Sequence, residues 1–233
     1  MRWLAFSWCG VLALAGCGSE PLESPVAGED TAIPPAPAGV SDGNFRPVAA
    51  YPAGPYGSER GSIIADHSFL GWRDPVRSGF DETRLEEVRF SDFYGAGARR
   101  GATELIVVNA SAVWCPACRS EMAAIARENL ADEYRLRNVV LLCTLFEDVS
   151  GAPAKPLDLA LWGNGLNFTV DFPLVLDPAL KLGPYFSESV TPLNLVIDGR
   201  TMEILEVFMG YSGSLWSYVD NVLTQRGIAP PSP

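Results

Sequence analysis

Two cysteines three positions apart, in Val113-Trp114-Cys115-Pro116-Ala117-Cys118-Arg119-Ser120-Glu121, carry the strongest chemical signal in the chain. Such a pair can supply two thiolates to a zinc site, close a small structural loop, or pass electrons by thiol-disulfide exchange. A closed zinc site wants four ligands, and Cys143 and the lone His67 are the other thiol and imidazole in the folded part, so zinc is the weakest reading. A purely structural disulfide stays open, although a junction between strand and helix favours access and activation over stapling.

That junction is set by the flanking residues. Leu105-Ile106-Val107-Val108-Asn109 and Val139-Val140-Leu141-Leu142-Cys143-Thr144-Leu145 are short aliphatic runs, and Pro116 to about Arg135 places Met122, Ile125, Ala126 and Leu130 at helical spacing. Buried strand, helix, buried strand is a parallel unit. Cys115 then falls where the helix begins, so free backbone N–H groups and the positive end of the helix dipole stabilise its thiolate and make it the nucleophile. Cys118, one turn along the same face, can attack a mixed disulfide at Cys115 and is the resolving thiol. Pro116 suits the first helical turn, where its missing N–H is not needed. Further on, Leu193 to Asp198 and Met202 to Phe208 flank the short turn Gly199-Arg200-Thr201, and Leu215 to Leu223 repeats an amphipathic helical spacing. A parallel unit followed by a hairpin and a closing helix is a mixed-sheet α/β domain, expected over residues 57–233.

The first residues address compartment. Met1-Arg2, an apolar run from Leu4 to Ala15 and then Leu14-Ala15-Gly16-Cys17 read as a signal peptide over residues 1–16. The small residues before Cys17 resemble the lipobox of bacterial lipoproteins, which implies that Cys17 is acylated and becomes the mature N-terminus. The apolar run is short of the ~20 residues a spanning helix needs, so the expectation is a protein anchored rather than threaded through a membrane. Residues 17–56 are rich in Pro, Ala, Gly, Ser and acidic side chains and read as a tether. At its end, Tyr51-Pro52-Ala53-Gly54-Pro55-Tyr56-Gly57 reads either as linker or as a segment packed on the domain. With 17 basic against 28 acidic residues, nucleic-acid binding is excluded as an expectation, and the acidity serves solubility. Outside the cytoplasm a dithiol that must stay reduced needs a dedicated electron source, which implies a partner.

Trp114-Cys115-Pro116-Ala117-Cys118 after an aliphatic strand resembles the active site of the thioredoxin superfamily. Phe90-Ser91-Asp92-Phe93, Glu121, Phe172-Pro173-Leu174-Val175-Leu176-Asp177 and Thr191-Pro192 before Leu195-Val196-Ile197-Asp198 extend the resemblance to the TlpA and ResA type of membrane-tethered thiol-disulfide oxidoreductase, from about Ser62 to Gly227. The resemblance implies a thioredoxin-like mixed sheet flanked by helices, with an N-terminal extension and a central insertion of one strand and one helix, placed at about Asp148 to Pro173. It implies catalysis by Cys115 and Cys118, a substrate groove at Trp114, Pro116, Thr191 and Pro192, with Pro192 in the cis form, and no cofactor or metal. Asn109 stands where thioredoxin has a buried aspartate, and an amide cannot accept the resolving thiol's proton. Glu121 matches the glutamate of the ResA type; it reads either as the replacement proton acceptor or as a solvated first-turn carboxylate. Ala110-Ser111-Ala112 replaces bulkier residues and suggests a more open groove. Cys143 reads as a small core residue.

The expected partners are exported proteins with cysteine pairs and a transmembrane electron donor, and the expected place is the bacterial envelope. Gly18 after the lipobox cysteine favours the outer membrane. The lack of histidine between the cysteines favours a reductant over an oxidant. Three alternatives remain: a peroxiredoxin-like peroxidase, which would want Ser or Thr where Ala112 stands; a copper carrier, which would want a histidine after the motif; and a non-enzymatic lipoprotein with a structural disulfide.

Overall fold

A computed structural model describes residues 50–95, 103–165 and 168–230. The signal peptide, the lipobox cysteine Cys17 and the tether as far as residue 49 lie outside the described residues.

In chain order the elements are β1 (Ser68–Trp72), α1 (Pro75–Ser78), β2 (Glu86–Arg89), β3 (Leu105–Ala112), α2 (Pro116–Arg127), α3 (Leu130–Leu136), β4 (Val139–Glu147), α4 (Pro156–Asn164), β5 (Leu174–Leu176), β6 (Leu193–Asp198), β7 (Ile204–Met209) and α5 (Ser214–Gln225). The strands form one mixed sheet in the order β2-β1-β5-β4-β3-β6-β7. β3, β4 and β5 run parallel, while β6 and β7 add an antiparallel hairpin on one side and β1 and β2 another beyond β5. This is the thioredoxin-like mixed sheet flanked by helices that the sequence implies.

All eight residues of β3 are buried, because the strand is paired on both sides and covered on both faces; this is why it reads as an uninterrupted apolar run. The connections β3-α2-α3-β4 and β4-α4-β5 are successive parallel crossovers, and their shared right-handedness puts these helices on one face of the sheet. α5 joins that face: Trp216 stacks on Tyr134 of α3 at 4.9 Å between ring centroids, and the Tyr134 hydroxyl donates to Asp220. α2 therefore lies directly over the centre of the sheet, with its first turn at the end of β3.

Two expectations are corrected. The helix placed from Pro116 to about Arg135 is two helices, broken at Asn129, whose φ of 54° is the left-handed conformation that asparagine tolerates. The central insertion contributes its helix, α4, inside the expected window, but its strand, β5, begins at Leu174, just past it. Strands β1 and β2 carry no clear periodic signal, since β2 buries only Val88 of its four residues. Gly71 lets β1 close on β5: a Cβ there would lie 2.3 Å from the Leu174 carbonyl oxygen. The Tyr51 to Gly57 segment packs on the domain, with the Tyr51 hydroxyl donating to the Ile64 carbonyl at 2.9 Å and Tyr56 bridged to Ile63.

Candidate active site

β3 ends at Ala112, and the chain turns through Val113 and Trp114 into α2. Two backbone bonds fix that turn, from Val113 N–H to the Glu147 carbonyl at 2.9 Å and from Cys115 N–H to the Ala112 carbonyl at 3.1 Å. The Arg119 guanidinium, one turn into the helix, reaches back and donates to the Val113 carbonyl at 2.6 and 3.0 Å. The Trp114 indole N–H donates to the Glu147 carboxylate at 2.7 Å, while 44% of the residue stays exposed. Glu147, at the end of β4, thus holds the loop by its backbone and the tryptophan by its side chain.

Cys115 caps α2, and its Sγ accepts the Cys118 N–H at 3.1 Å. It is disulfide-bonded to Cys118, with 5.3 Å between the two Cα atoms. A second donor comes from across the site: the Thr191 hydroxyl lies 3.1 Å from Cys115 Sγ. The Thr191–Pro192 peptide is cis and leads into β6. Cys115 keeps 2% of its surface and Cys118 none, whereas Trp114 and Pro116 beside them are exposed. Trp114, Pro116 and Thr191 thus surround the buried Cys115 sulfur. The Thr191 hydroxyl contact with the sulfur is an addition from the structure.

The solvated reading of Glu121 is overturned, since only 1% of the residue is exposed. It projects from α2 onto the sheet, where one register row runs Leu174, Cys143, Asn109, Asn194, Phe208 across five strands. Glu121 Oε2 accepts from Asn109 Nδ2 at 2.9 Å and from Asn194 Nδ2 at 3.2 Å, and Oε1 accepts from Asn194 Nδ2 at 3.1 Å. Burial pushes its carboxyl up to about 7, and the bonds from Asn194 and Asn109 oppose that rise. A carboxyl that titrates near neutrality can both take and release a proton under working conditions. It lies three residues beyond Cys118, on the same helix face.

Ala110, Ser111 and Ala112 are buried, so these small residues do not widen the groove as expected. Ser111 instead turns its hydroxyl onto Asn109 Oδ1 at 2.5 Å. Cys143 is in the core, as read from the sequence, with its sulfur 3.6 Å from the same Oδ1, and burial pushes its thiol up to about 12. His67 lies away from this network, its Nε2 paired with the Tyr185 hydroxyl at 2.8 Å. Among the described residues no cluster of three or more His, Cys, Asp or Glu could hold a metal ion.

Sequence reading missed Asn194, Ser111 and Glu147. The available signal for Asn194 was an amide in the otherwise apolar Leu193-Asn194-Leu195-Val196-Ile197, because a buried polar side chain needs a partner.

No protein-family model and no curated protein matches the sequence. Solved structures match in fold. A candidate protein disulfide isomerase from Bacteroides thetaiotaomicron is 18% identical, covering 72% of this chain and 88% of that one at a TM-score of 0.50. An uncharacterised conserved protein from Geobacillus kaustophilus is 15% identical, covering 76% and 87% at 0.51. A candidate thiol:disulfide interchange protein of the DsbE type from Chlorobium tepidum is 16% identical, covering 72% and 96% at 0.49.

Proposed function

We propose that the protein is a thiol-disulfide oxidoreductase of the TlpA and ResA type, which exchanges Cys115–Cys118 with cysteine pairs of exported proteins. The observation that carries this reading is the convergence on one sulfur: Cys115 Sγ sits at the start of α2, accepts the Cys118 N–H and faces the Thr191 hydroxyl. Two donors and a helix dipole stabilise negative charge there, which is what an attacking or departing thiolate requires.

In the reductive direction the Cys115 thiolate attacks a partner disulfide, forms a mixed disulfide and expels the partner's first thiolate. Cys118, deprotonated by Glu121, then attacks Cys115 Sγ and expels the second. The partner has gained two electrons, and Cys115–Cys118 has closed to the disulfide. A second dithiol, from a transmembrane electron donor, reverses the sequence and returns the pair to the reduced form. We favour reductant over oxidant because Pro116-Ala117, between the cysteines, adds no further cationic group to stabilise the reduced form. Trp114, Pro116, Thr191 and Pro192 line the approach as substrate contacts. The lipid anchor at Cys17 holds the domain in the bacterial envelope, at the outer membrane.

Alkylation of the reduced protein tests the roles. Cys115 reacts first and Cys118 is protected, and Thr191→Val slows the Cys115 reaction at neutral pH by up to about tenfold through loss of a hydrogen bond to the thiolate. Equal reactivity of the two cysteines, or a Thr191→Val rate equal to wild type, contradicts the assignment.

A further inference from the structure

Two neighbouring strands aim one carboxamide each at the same buried carboxylate. Asn109 on β3 and Asn194 on β6 are register partners, and both lie under Glu121 of α2. We propose that they form a clamp that decides which oxygen of Glu121 carries a proton: Oε2 is held as an acceptor by both amides, and Oε1 is left to take the proton that leaves Cys118. The clamp stands on its own geometry; the identity of the proton's source rests on the proposed exchange reaction.

The direction of every bond in the network supports this. Asn109 Oδ1 faces the Ser111 hydroxyl at 2.5 Å and the Cys143 thiol at 3.6 Å, which turns its Nδ2 towards Glu121 and Asn194. Were the amide reversed, Oδ1 would face a carboxylate oxygen with no hydrogen between them. Asn194 Oδ1 accepts from Asn109 Nδ2 at 3.0 Å, so the Asn194 Nδ2 remains for Glu121. The hydrogens therefore run from Ser111 and Cys143 through two amides and end on the carboxylate. Oε2 receives N–H groups from both amides, while Oε1 shares only the one from Asn194. A proton on Oε2 would disturb bonds from both amides; on Oε1 it disturbs only the one from Asn194.

Among the described residues no charged group shifts the Glu121 carboxyl; burial and the two amides set it. Glu121 meets the neutral amides of Asn109 on β3 and Asn194 on β6, the Cys143 thiol on β4 is near enough to feel its charge, and Cys118 lies one turn before it on α2. Cys143 stays neutral through the working pH range because burial holds its thiol up near 12. A cavity of about 10 Å³ beside Asn109 and Asn194 is otherwise lined by Val107, Met122, Trp216 and other apolar side chains, leaving room for one water at most. Glu121 is therefore balanced between burial, which favours the neutral form, and two amides, which favour the charged one.

During resolution the Cys118 S–H proton passes to Glu121 Oε1. The thiolate attacks Cys115 Sγ, the Cys115–Cys118 bond forms, and the bond from Cys115 to the partner breaks. The expelled partner thiolate leaves with both electrons of that bond and takes its proton from Glu121 or from solvent.

The test is the titration of the Glu121 side-chain carboxyl, followed by carbon-13 NMR in the disulfide form, where Cys118 has no proton to contribute; Glu121→Gln assigns the signal. Asn194→Ala moves the midpoint up by about one pH unit, the worth of a hydrogen bond to a charged group. Ser111→Ala moves it up by less, because Asn109 is then free to turn. An unchanged or lowered midpoint in folded Asn194→Ala overturns the clamp, and if that variant fails to fold, an unchanged midpoint in Ser111→Ala does so. A purely structural role would lower stability without moving the titration. In the reduced protein the pH profile of dithiol exchange moves with the carboxyl. An upward shift in a wild-type background that shows no exchange would support the clamp and overturn the proposed reaction.

Discussion

At the scale of residues, Glu121 is the group whose behaviour most separates this site from an ordinary helix start. A glutamate on the solvent face of a helix ionises freely, whereas this one is enclosed between α2 and the sheet, and burial pushes it up to about 7 from an ordinary 4.5. The sign of its effect on stability follows: a carboxyl raised in the folded state favours folding below its unfolded value and loses that contribution as pH climbs to the folded one. Wild type therefore loses stability relative to Glu121→Gln between about pH 4.5 and 7, and the gap levels at about 3 kcal/mol above that range. Chemical denaturation of both proteins at pH 4.5, 6 and 8 reads this directly, and a gap that stays constant across pH contradicts the buried, raised carboxyl. The residue itself was legible through the family resemblance, one turn beyond Cys118. Its enclosure was not, because that depends on Asn109 and Asn194, which lie 85 residues apart in the chain and meet only through the β3–β6 register.

At the scale of elements, the sequence exposes what periodicity records and hides what pairing decides. β3 is fully buried and β4 nearly so, so their aliphatic runs stand out, and the β6–β7 hairpin and α5 follow the same logic with a short turn between. The break between α2 and α3 leaves no mark in the apolar pattern, since Leu130 continues the helical spacing across it; only the left-handed Asn129 redirects the chain. β2 is written Glu86-Glu87-Val88-Arg89 and gains its strand character from pairing with β1 rather than from its own apolar face. The placement of the chemistry nonetheless follows from the elements that were legible: a strand that ends and a helix that begins at Cys115 bring a backbone N–H to its sulfur, and β6 begins just past Pro192, beside it.

At the scale of the whole molecule, no helix among the described residues is long and apolar enough to cross a membrane, and the proposed attachment through the lipobox cysteine is tested separately. Cys17→Ala, expressed in a bacterial host with a lipoprotein pathway, shifts the protein from the membrane fraction to uncleaved precursor or unlipidated material. Equal fractionation of the variant and wild type contradicts acylation at Cys17.

The central claim is that Cys115 and Cys118 form an exchanging pair with divided roles. It is tested most directly by Cys118→Ser expressed in the native cell: Cys115 can still attack a partner disulfide, but no thiol remains beside it to resolve the product. The account predicts covalent, reductant-sensitive adducts between this chain and exported proteins with cysteine pairs, absent from Cys115→Ser. Recovery of no adduct from Cys118→Ser, together with wild-type protein whose disulfide fails to exchange with small dithiols, would show that the pair is a structural link.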